Sequence, residues 1–212
     1  MTTLPHLSLS LMLLTTTVFL LAGLVKGVVG LGLPTLAMAL LALAMPPAQA
    51  AALLILPSLV TNVWQMRPWP TLAPMTRRLW PMQAGVVAGT LGGAWLLGAP
   101  AGAWAMQALG AALVVYGLWG LSGARVSQVP AGAERVLGPL VGAVTGLVTA
   151  ATGVFVIPAV PYLQALGLSR DELVQTMGLS FTVSTVALAA GLMLNGQYSA
   201  AALSGSALML LP

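Results

Sequence analysis

The sequence contains very few charged residues for its length. Of its 212 residues, 5% are Asp, Glu, Lys or Arg, whereas 59% are hydrophobic. A water-soluble domain of this size needs far more charge to cover its surface. The composition therefore predicts an all-α, polytopic integral membrane protein in which residues 1–212 form a single transmembrane domain.

Other absences narrow the range of possible functions. Cysteine is missing, which excludes disulfides, thiolate metal sites and thiol catalysis. No metal-binding motif, phosphate-binding loop or nucleophile–base pair is recognisable, so we expect neither an enzyme nor a bound cofactor or metal. The net charge is +4, but its seven Lys and Arg residues are scattered and form no patch for nucleic acid. Such residues are more typical of cytoplasmic loops of a membrane protein.

Apolar runs fill most of the chain and predict eight or nine helices. They lie at about 9–30, 31–47, 48–66, 81–98, 102–121, 136–152, 153–168, 170–194 and 198–212. The runs 31–47 and 153–168 are short for a bilayer crossing, which needs about 20 residues, and are interpreted as broken helices. Polar loops are expected at 67–78 and at 122–135, the latter containing Glu134. The Ser169–Glu172 spacing predicts a capped helix start, and Pro47 a comparable start upstream.

The chain contains a weak internal repeat. The segment from Gly23 to Gly30, followed by Pro34, aligns with the segment from Gly146 to Gly153, followed by Pro158. We interpret residues of about 9–121 as repeat one and about 135–212 as an incomplete repeat two, a plan common in transporters. Repeat two lacks a final helix, so we expect a truncated or unusually short chain. The alternative is a chance alignment of Gly, Leu and Val.

The two predicted repeats differ in the charge of matching loops. The first loop carries Arg67, Arg77 and Arg78, whereas the corresponding loop 195–199 carries no charge. Because Lys and Arg collect on the cytoplasmic side, we expect 67–80 and 122–135 to be cytoplasmic and 195–199 external, with the repeats inverted. This requires both short runs to cross the membrane. If they are re-entrant instead, the repeats are parallel.

Two glycine–proline interruptions of apolar segments are the strongest candidates for a binding site. Interrupted membrane helices leave backbone groups free, and a helix N-terminus attracts anions. Polar residues on the helices that follow could line the same site. The predicted substrate-binding residues are Lys26, Gly30, Gly32, Pro34, Ser58, Asn62, Thr152, Gly153, Pro158, Ser180 and Ser184.

Each of these residues also has a purely structural interpretation. Small residues allow helices to pack closely, and hydroxyls in lipid often bond to their own or a neighbouring helix. Lys26 could extend its side chain to the cytoplasmic end of its helix instead of facing a site. The sequence leaves these alternatives open.

The first interruption, Gly27-Val-Val-Gly30-Leu-Gly32-Leu-Pro34, resembles the glycine-rich signature of the TauE/SafE family of sulfite and organosulfonate exporters. Its recurrence at Gly146–Pro158 and the stretch Ser180-Phe-Thr-Val-Ser184 fit that family's two-repeat plan, over about 15–195. The resemblance implies export of small sulfur-containing anions, such as sulfite, sulfoacetate or related sulfonates, across the bacterial inner membrane. Its partners would be the anion and the lipid bilayer, with a homo-oligomer left open. The alternatives are a carrier of another small anion or a neutral metabolite, and a non-transporting membrane subunit.

Overall fold

The computed structural model describes residues 9–123 and 127–211, and the regular elements in these two stretches are all helical. The α-helices are α1 (Leu9–Val29), α2 (Leu33–Leu41), α3 (Pro47–Gln65), α4 (Leu72–Leu97), α5 (Gly102–Ser122), α6 (Ala131–Thr152), α7 (Ala159–Gln164), α8 (Arg170–Leu194) and α9 (Ala200–Leu208). One 3₁₀ turn, Trp69–Thr71, precedes α4. The predicted all-α class is confirmed.

Among the described helices, five are long and apolar enough to cross a membrane, namely α1, α3, α5, α6 and α8. Large apolar side chains such as Leu24, Trp95 and Leu121 lie on their outer faces or on that of α4, where lipid can cover them. The 26-residue α4 carries Arg77 and Arg78 near its start. These features define a polytopic membrane protein, as the composition predicts.

The helices on either side of each interruption run parallel. Lys26, near the end of α1, bonds to Asn62 near the end of α3, and the Gln65 amide donates to the carbonyl of Gly30 at 3.0 Å. In the second half, Ala150 near the end of α6 lines the same crevice as Asn195 at the end of α8. The chain must therefore return between the members of each pair. It does so through α2 and α7, which have 9 and 6 residues.

Both short runs thus connect one side of the helix bundle with the other. A helix of 9 residues covers only about 13 Å, so non-helical chain on either side of α2 supplies the remaining distance. The interpretation of the runs 31–47 and 153–168 as broken helices is therefore confirmed: each contains one short helix flanked by non-helical chain.

The two pairs of parallel helices run in opposite directions. Gly178, near the start of α8, lies against the backbone of Asn62 and Gln65 at the end of α3. Since α3 is parallel to α1 and α8 to α6, the first half of the fold is antiparallel to the second. This is the relation that inverted repeats require; the division into repeats itself, and the face that is cytoplasmic, stay predictions.

Charge separates the two faces of the bundle. An ion pair of 2.6 Å joins Arg78 near the start of α4 to Glu134 in the first turn of α6. The Gln175 amide donates to the carbonyls of Met66 and Pro68, which holds the loop after α3 against α8 on the same face. The opposite face carries the uncharged loop that begins at Asn195.

Close contact between α4 and α6 depends on glycine. A Cβ atom at Gly89 would overlap the carbonyl of Ala143, and one at Gly142 would overlap the carbonyl of Met82. A Cβ at Gly146 would meet the backbone of α4 in the same way. These glycines let the two backbones approach directly, which is the structural role of small residues in membrane helices.

Two predicted boundaries are wrong. Helix α4 begins at Leu72 instead of 81, so Arg77 and Arg78 lie on a helix and Pro81 lies inside it. As the tenth residue of α4, Pro81 has no amide to donate to the carbonyl of Arg77, and the helix continues without that bond. Helix α6 begins at Ala131, which places Glu134 in its first turn instead of a loop.

Both predicted helix starts are confirmed. Pro47 is the first residue of α3. The Ser169 hydroxyl accepts from the amide of Glu172, whose carboxylate accepts from the amide of Ser169 at 2.9 Å. This reciprocal pair satisfies two amides that the first turn of α8 would leave free.

Candidate anion-binding site

Lys26 turns into the protein. Its side chain is 6% exposed, and its amine donates to the amide oxygen of Asn62 on α3. The same amine lies 5.9 Å from the centre of the Phe181 ring on α8, a cation–π distance. The interpretation that Lys26 extends to the membrane surface is therefore wrong. The amine faces the contact between three helices.

Asn62 connects the two halves of the fold. It is fully buried, and its Nδ2 donates to the Thr185 hydroxyl on α8 at 3.3 Å. Thr185 in turn donates to the carbonyl of Phe181 at 2.7 Å. A chain of contacts thus runs from Lys26 through Asn62 to α8, and Asn62 has both polar atoms occupied.

Three serine hydroxyls on the same helices have no hydrogen-bond partner among the described residues. They belong to Ser58 on α3 and to Ser180 and Ser184 on α8, and each is at most 1% exposed. Hydroxyls in helices usually bond to the carbonyl four residues earlier, as Thr61 and Thr182 do here. A buried hydroxyl without a partner costs about 1–3 kcal/mol, so such groups point to an additional partner.

The two glycine–proline interruptions share one local geometry. Gly30 follows α1 with φ +75°, and Gly153 follows α6 with φ +73°. Each amide donates to the carbonyl four residues earlier, on Lys26 and Thr149 respectively, at 2.8 Å. Positive φ favours glycine, because other residues meet steric strain there. Both glycines therefore end their helices in the same way.

The other interruption residues have identifiable structural tasks. Gly32 has φ +114° immediately before α2, and Pro34 is the second residue of that helix. The Thr152 hydroxyl donates to the carbonyl of Val148 at 2.7 Å and accepts from the amide of Val154 at 3.1 Å. Pro158 immediately precedes α7. Thr152 thus stabilises its own interruption, and its hydroxyl is already engaged.

The interruptions lie at different ends of the bundle. Gly30 is close to Gln65 and Met177, whereas a Cβ at Gly153 would meet Met38 and Ala51. Ring contacts connect the two regions, since Phe155 beyond Gly153 lies 5.3 Å from Phe181, which faces Lys26. Among the predicted site residues, Lys26 and Asn62 therefore contact each other and α8 directly. The two interruptions lie on either side of this contact.

Several buried residues lie outside the predicted substrate-binding set. Phe181 and Thr185 contact the site directly, and both lie in or beside the stretch 180–184. Between α4 and α6, the side chains of Gln83, Thr90 and Thr145 are also buried with partnerless atoms. Polar residues in an otherwise apolar helix were the available signal for these.

The described contacts place no carboxylate beside the Lys26 amine. Helices α2 and α3 contain no charged residue at all. Glu134 pairs with Arg78, and Asp171 and Glu172 lie in the first turn of α8. The part of the chain that the structure describes also holds no group of three His, Cys, Asp or Glu residues able to bind a metal. We refer to Lys26, Ser58, Asn62, Ser180 and Ser184 as the buried polar cluster.

Apolar helices that enclose a buried amine and hydroxyls without partners are typical of a polytopic membrane transporter. Comparison with family models agrees, because the model described as "Sulfite exporter TauE/SafE" matches residues 15–212. The chain therefore belongs to the TauE/SafE family, a family of transporters, and the resemblance of its glycine-rich motifs is confirmed. Neither the curated proteins nor the solved structures gave a significant match.

Proposed function

We propose that the chain exports small sulfur-containing anions, such as sulfite, sulfoacetate or related organosulfonates, across the bacterial inner membrane. The observation that carries this proposal is the buried polar cluster, in which one amine and three partnerless hydroxyls lie on α1, α3 and α8. Family membership supports the sulfur chemistry of the cargo.

The donors of the cluster suit an oxyanion. Sulfite and sulfonate groups present three oxygen atoms, each able to accept hydrogen bonds. The Lys26 amine supplies charge, and the hydroxyls of Ser58, Ser180 and Ser184 supply further donors. Hydrogen bonds to a charged group are worth about 1.5–3 kcal/mol each, roughly twice those between neutral groups.

Transport requires the cluster to open to each side in turn. Its residues are at most 6% exposed, so this structure corresponds to a closed arrangement. The bond between Asn62 and Thr185 crosses from the first half of the fold to the second. Movement of α1 and α3 against α6 and α8 would open the cluster, and the opposite directions of these pairs allow an equivalent opening on either face.

The proposal is tested by flux measurements in proteoliposomes. We expect the protein to move radiolabelled sulfite or sulfoacetate, and Lys26→Met to reduce this flux at least about tenfold, the equivalent of one lost charge-assisted bond. Ser206→Ala is the matched control, because Ser206 is buried but bonds to Leu53 and Leu56 away from the cluster. Labelled acetate and glycerol test the alternative cargoes. Movement of these compounds in preference to any sulfur anion would contradict the proposal.

A further inference from the structure

Lys26 is the only lysine in the sequence, and it is buried at the contact between the two halves of the fold. We infer that Lys26 takes up one proton when an anion binds and releases it when the anion leaves, so that transport of the anion is coupled to transport of a proton. The inference rests on the proposed function, because it assumes that the cargo is an anion.

The groups that face the amine are all uncharged. They are Asn62 from α3 and Phe181 from α8, with Thr185 behind Asn62. Helix α1 carries no other charged residue, and α2 and α3 carry none. On α8, the charged residues Arg170, Asp171 and Glu172 are confined to its first turn, at least eight residues before Phe181. No described contact provides the amine with a permanent counter-ion.

An ammonium group in these surroundings is poorly compensated. Burial of an unpaired charge costs several kcal/mol even after relaxation, whereas a neutral amine loses much less on leaving water. One amide oxygen and one aromatic ring replace only part of the lost hydration. A bound anion would supply the missing opposite charge. The charged amine and the anion therefore stabilise each other, and each should increase the affinity of the cluster for the other.

The coupled cycle balances in atoms and charge. When the cluster is open to one side, the nitrogen lone pair of Lys26 accepts a proton from hydronium, an N–H bond forms as an O–H bond breaks to leave water, and the anion binds. When the cluster opens to the other side, the anion leaves, the N–H bond breaks, and the proton passes to water. A singly charged sulfonate is then carried without net charge, and a doubly charged anion carries one negative charge.

The single lysine makes the protonation state directly measurable. The 212-residue chain labelled with [¹⁵Nζ]lysine gives one lysine side-chain resonance, whose chemical shift separates amine from ammonium. We expect a bound anion to raise the midpoint of this titration by at least about one pH unit, which corresponds to tenfold coupling. The probes are sulfite, sulfoacetate, acetate and chloride, each at saturating concentration. A midpoint that no anion moves would overturn the inference, as would an amine that stays charged without an anion throughout the range of the titration.

A second variant tests the consequence for transport. Lys26→Arg keeps the positive charge but cannot release its proton. We expect this variant to bind the anion and exchange it across the membrane, yet to lose the accumulation that a pH gradient drives in the wild type. Accumulation by Lys26→Arg equal to that of the wild type would overturn the inference. If this variant does not fold, the titration of the wild type decides.

The two proposals fail in different ways. If acetate or chloride moves the titration midpoint but no sulfur anion does, proton coupling stands and the proposed cargo is wrong. If a sulfur anion is transported without moving the midpoint, the proposed function stands and proton coupling is wrong.

Discussion

At the scale of single residues, the three serine hydroxyls of the cluster differ from most hydroxyls of these helices, as do those of Thr90 and Thr145 between α4 and α6. Most hydroxyl groups in these helices donate to a carbonyl of the preceding turn, as Thr15 and Thr149 do. The Ser184 hydroxyl forms no such bond to the preceding turn. A membrane helix gains stability from satisfying its polar groups, so an unsatisfied serine is better explained by binding than by folding.

Ser184→Ala is therefore expected to weaken sulfite binding by about tenfold, because it removes one hydrogen bond worth about 1.5 kcal/mol to a charged ligand. Ser206→Ala, which removes an equally buried hydroxyl outside the cluster, should leave the affinity unchanged. Binding of labelled sulfite to purified, monodisperse variants provides the measurement. If Ser58, Asn62, Ser180 and Ser184 can each be changed to Ala with unaltered affinity, these residues only hold the helices together.

At the scale of the elements, glycine serves two different purposes in this fold. Gly30 and Gly153 end helices, because their positive φ values reverse the chain. Gly89 and Gly142 lie within helices and bring α4 and α6 into backbone contact. Gly92, three residues after Gly89, has open space where a Cβ would lie. Helix α4 thus contains one glycine that its packing against α6 requires, Gly89, and one that this packing does not require, Gly92.

Gly89→Ala is expected to lower the melting temperature by several degrees, since overpacking a close contact costs about 1–3 kcal/mol. Gly92→Ala should leave the melting temperature unchanged or raise it slightly, because alanine favours a helix by about 1 kcal/mol over glycine. Thermal unfolding of both variants in the same detergent compares the two positions. Equal stability of the two variants would show that α4 and α6 are not in close backbone contact.

The elements could be predicted from sequence where the signal was local. Apolar runs gave the order of the helices, and the Ser169–Glu172 spacing gave the start of α8, because a capping box involves only neighbouring residues. The predicted start of α4 at 81 is too late, because the predicted loop 67–78 contains three prolines besides Arg77 and Arg78. The glycine contacts of α4 could not be predicted, because the sequence does not tell which helix a small residue faces.

Part of the site could also be predicted, again because the signal was local. The pattern of polar residues selected Ser58, Asn62 and Ser184, since each is polar within an apolar run. It could not decide whether Lys26 faces the interior, because Lys26 lies only three residues before the end of α1. The direction of the Lys26 side chain depends on its bond to Asn62, which is 36 positions away in sequence and comes close only in the folded structure. Assignment of these residues to a binding site stays a proposal.

At the scale of the whole molecule, charge and polarity are arranged in layers. The arginine-rich ends of α4, α6 and α8 occupy one face, and the uncharged loop after α8 occupies the other. Lys26 and Asn62 of the buried polar cluster lie inside, where α1 and α3 of one half meet α8 of the other. An anion crossing the bundle would there meet Lys26, the one buried basic side chain among the residues that the structure describes.

The most direct measurement locates the anion in the protein. Selenite has the shape and charge of sulfite, and its selenium atom can be identified by anomalous X-ray scattering in crystals soaked with it. We predict a selenium peak within about 4 Å of the Lys26 amine, which places the selenite oxygens at hydrogen-bonding distance, and loss of this peak in Lys26→Met. Peaks confined to the arginine-rich face, with the buried polar cluster empty at a selenite concentration that saturates binding, would contradict it.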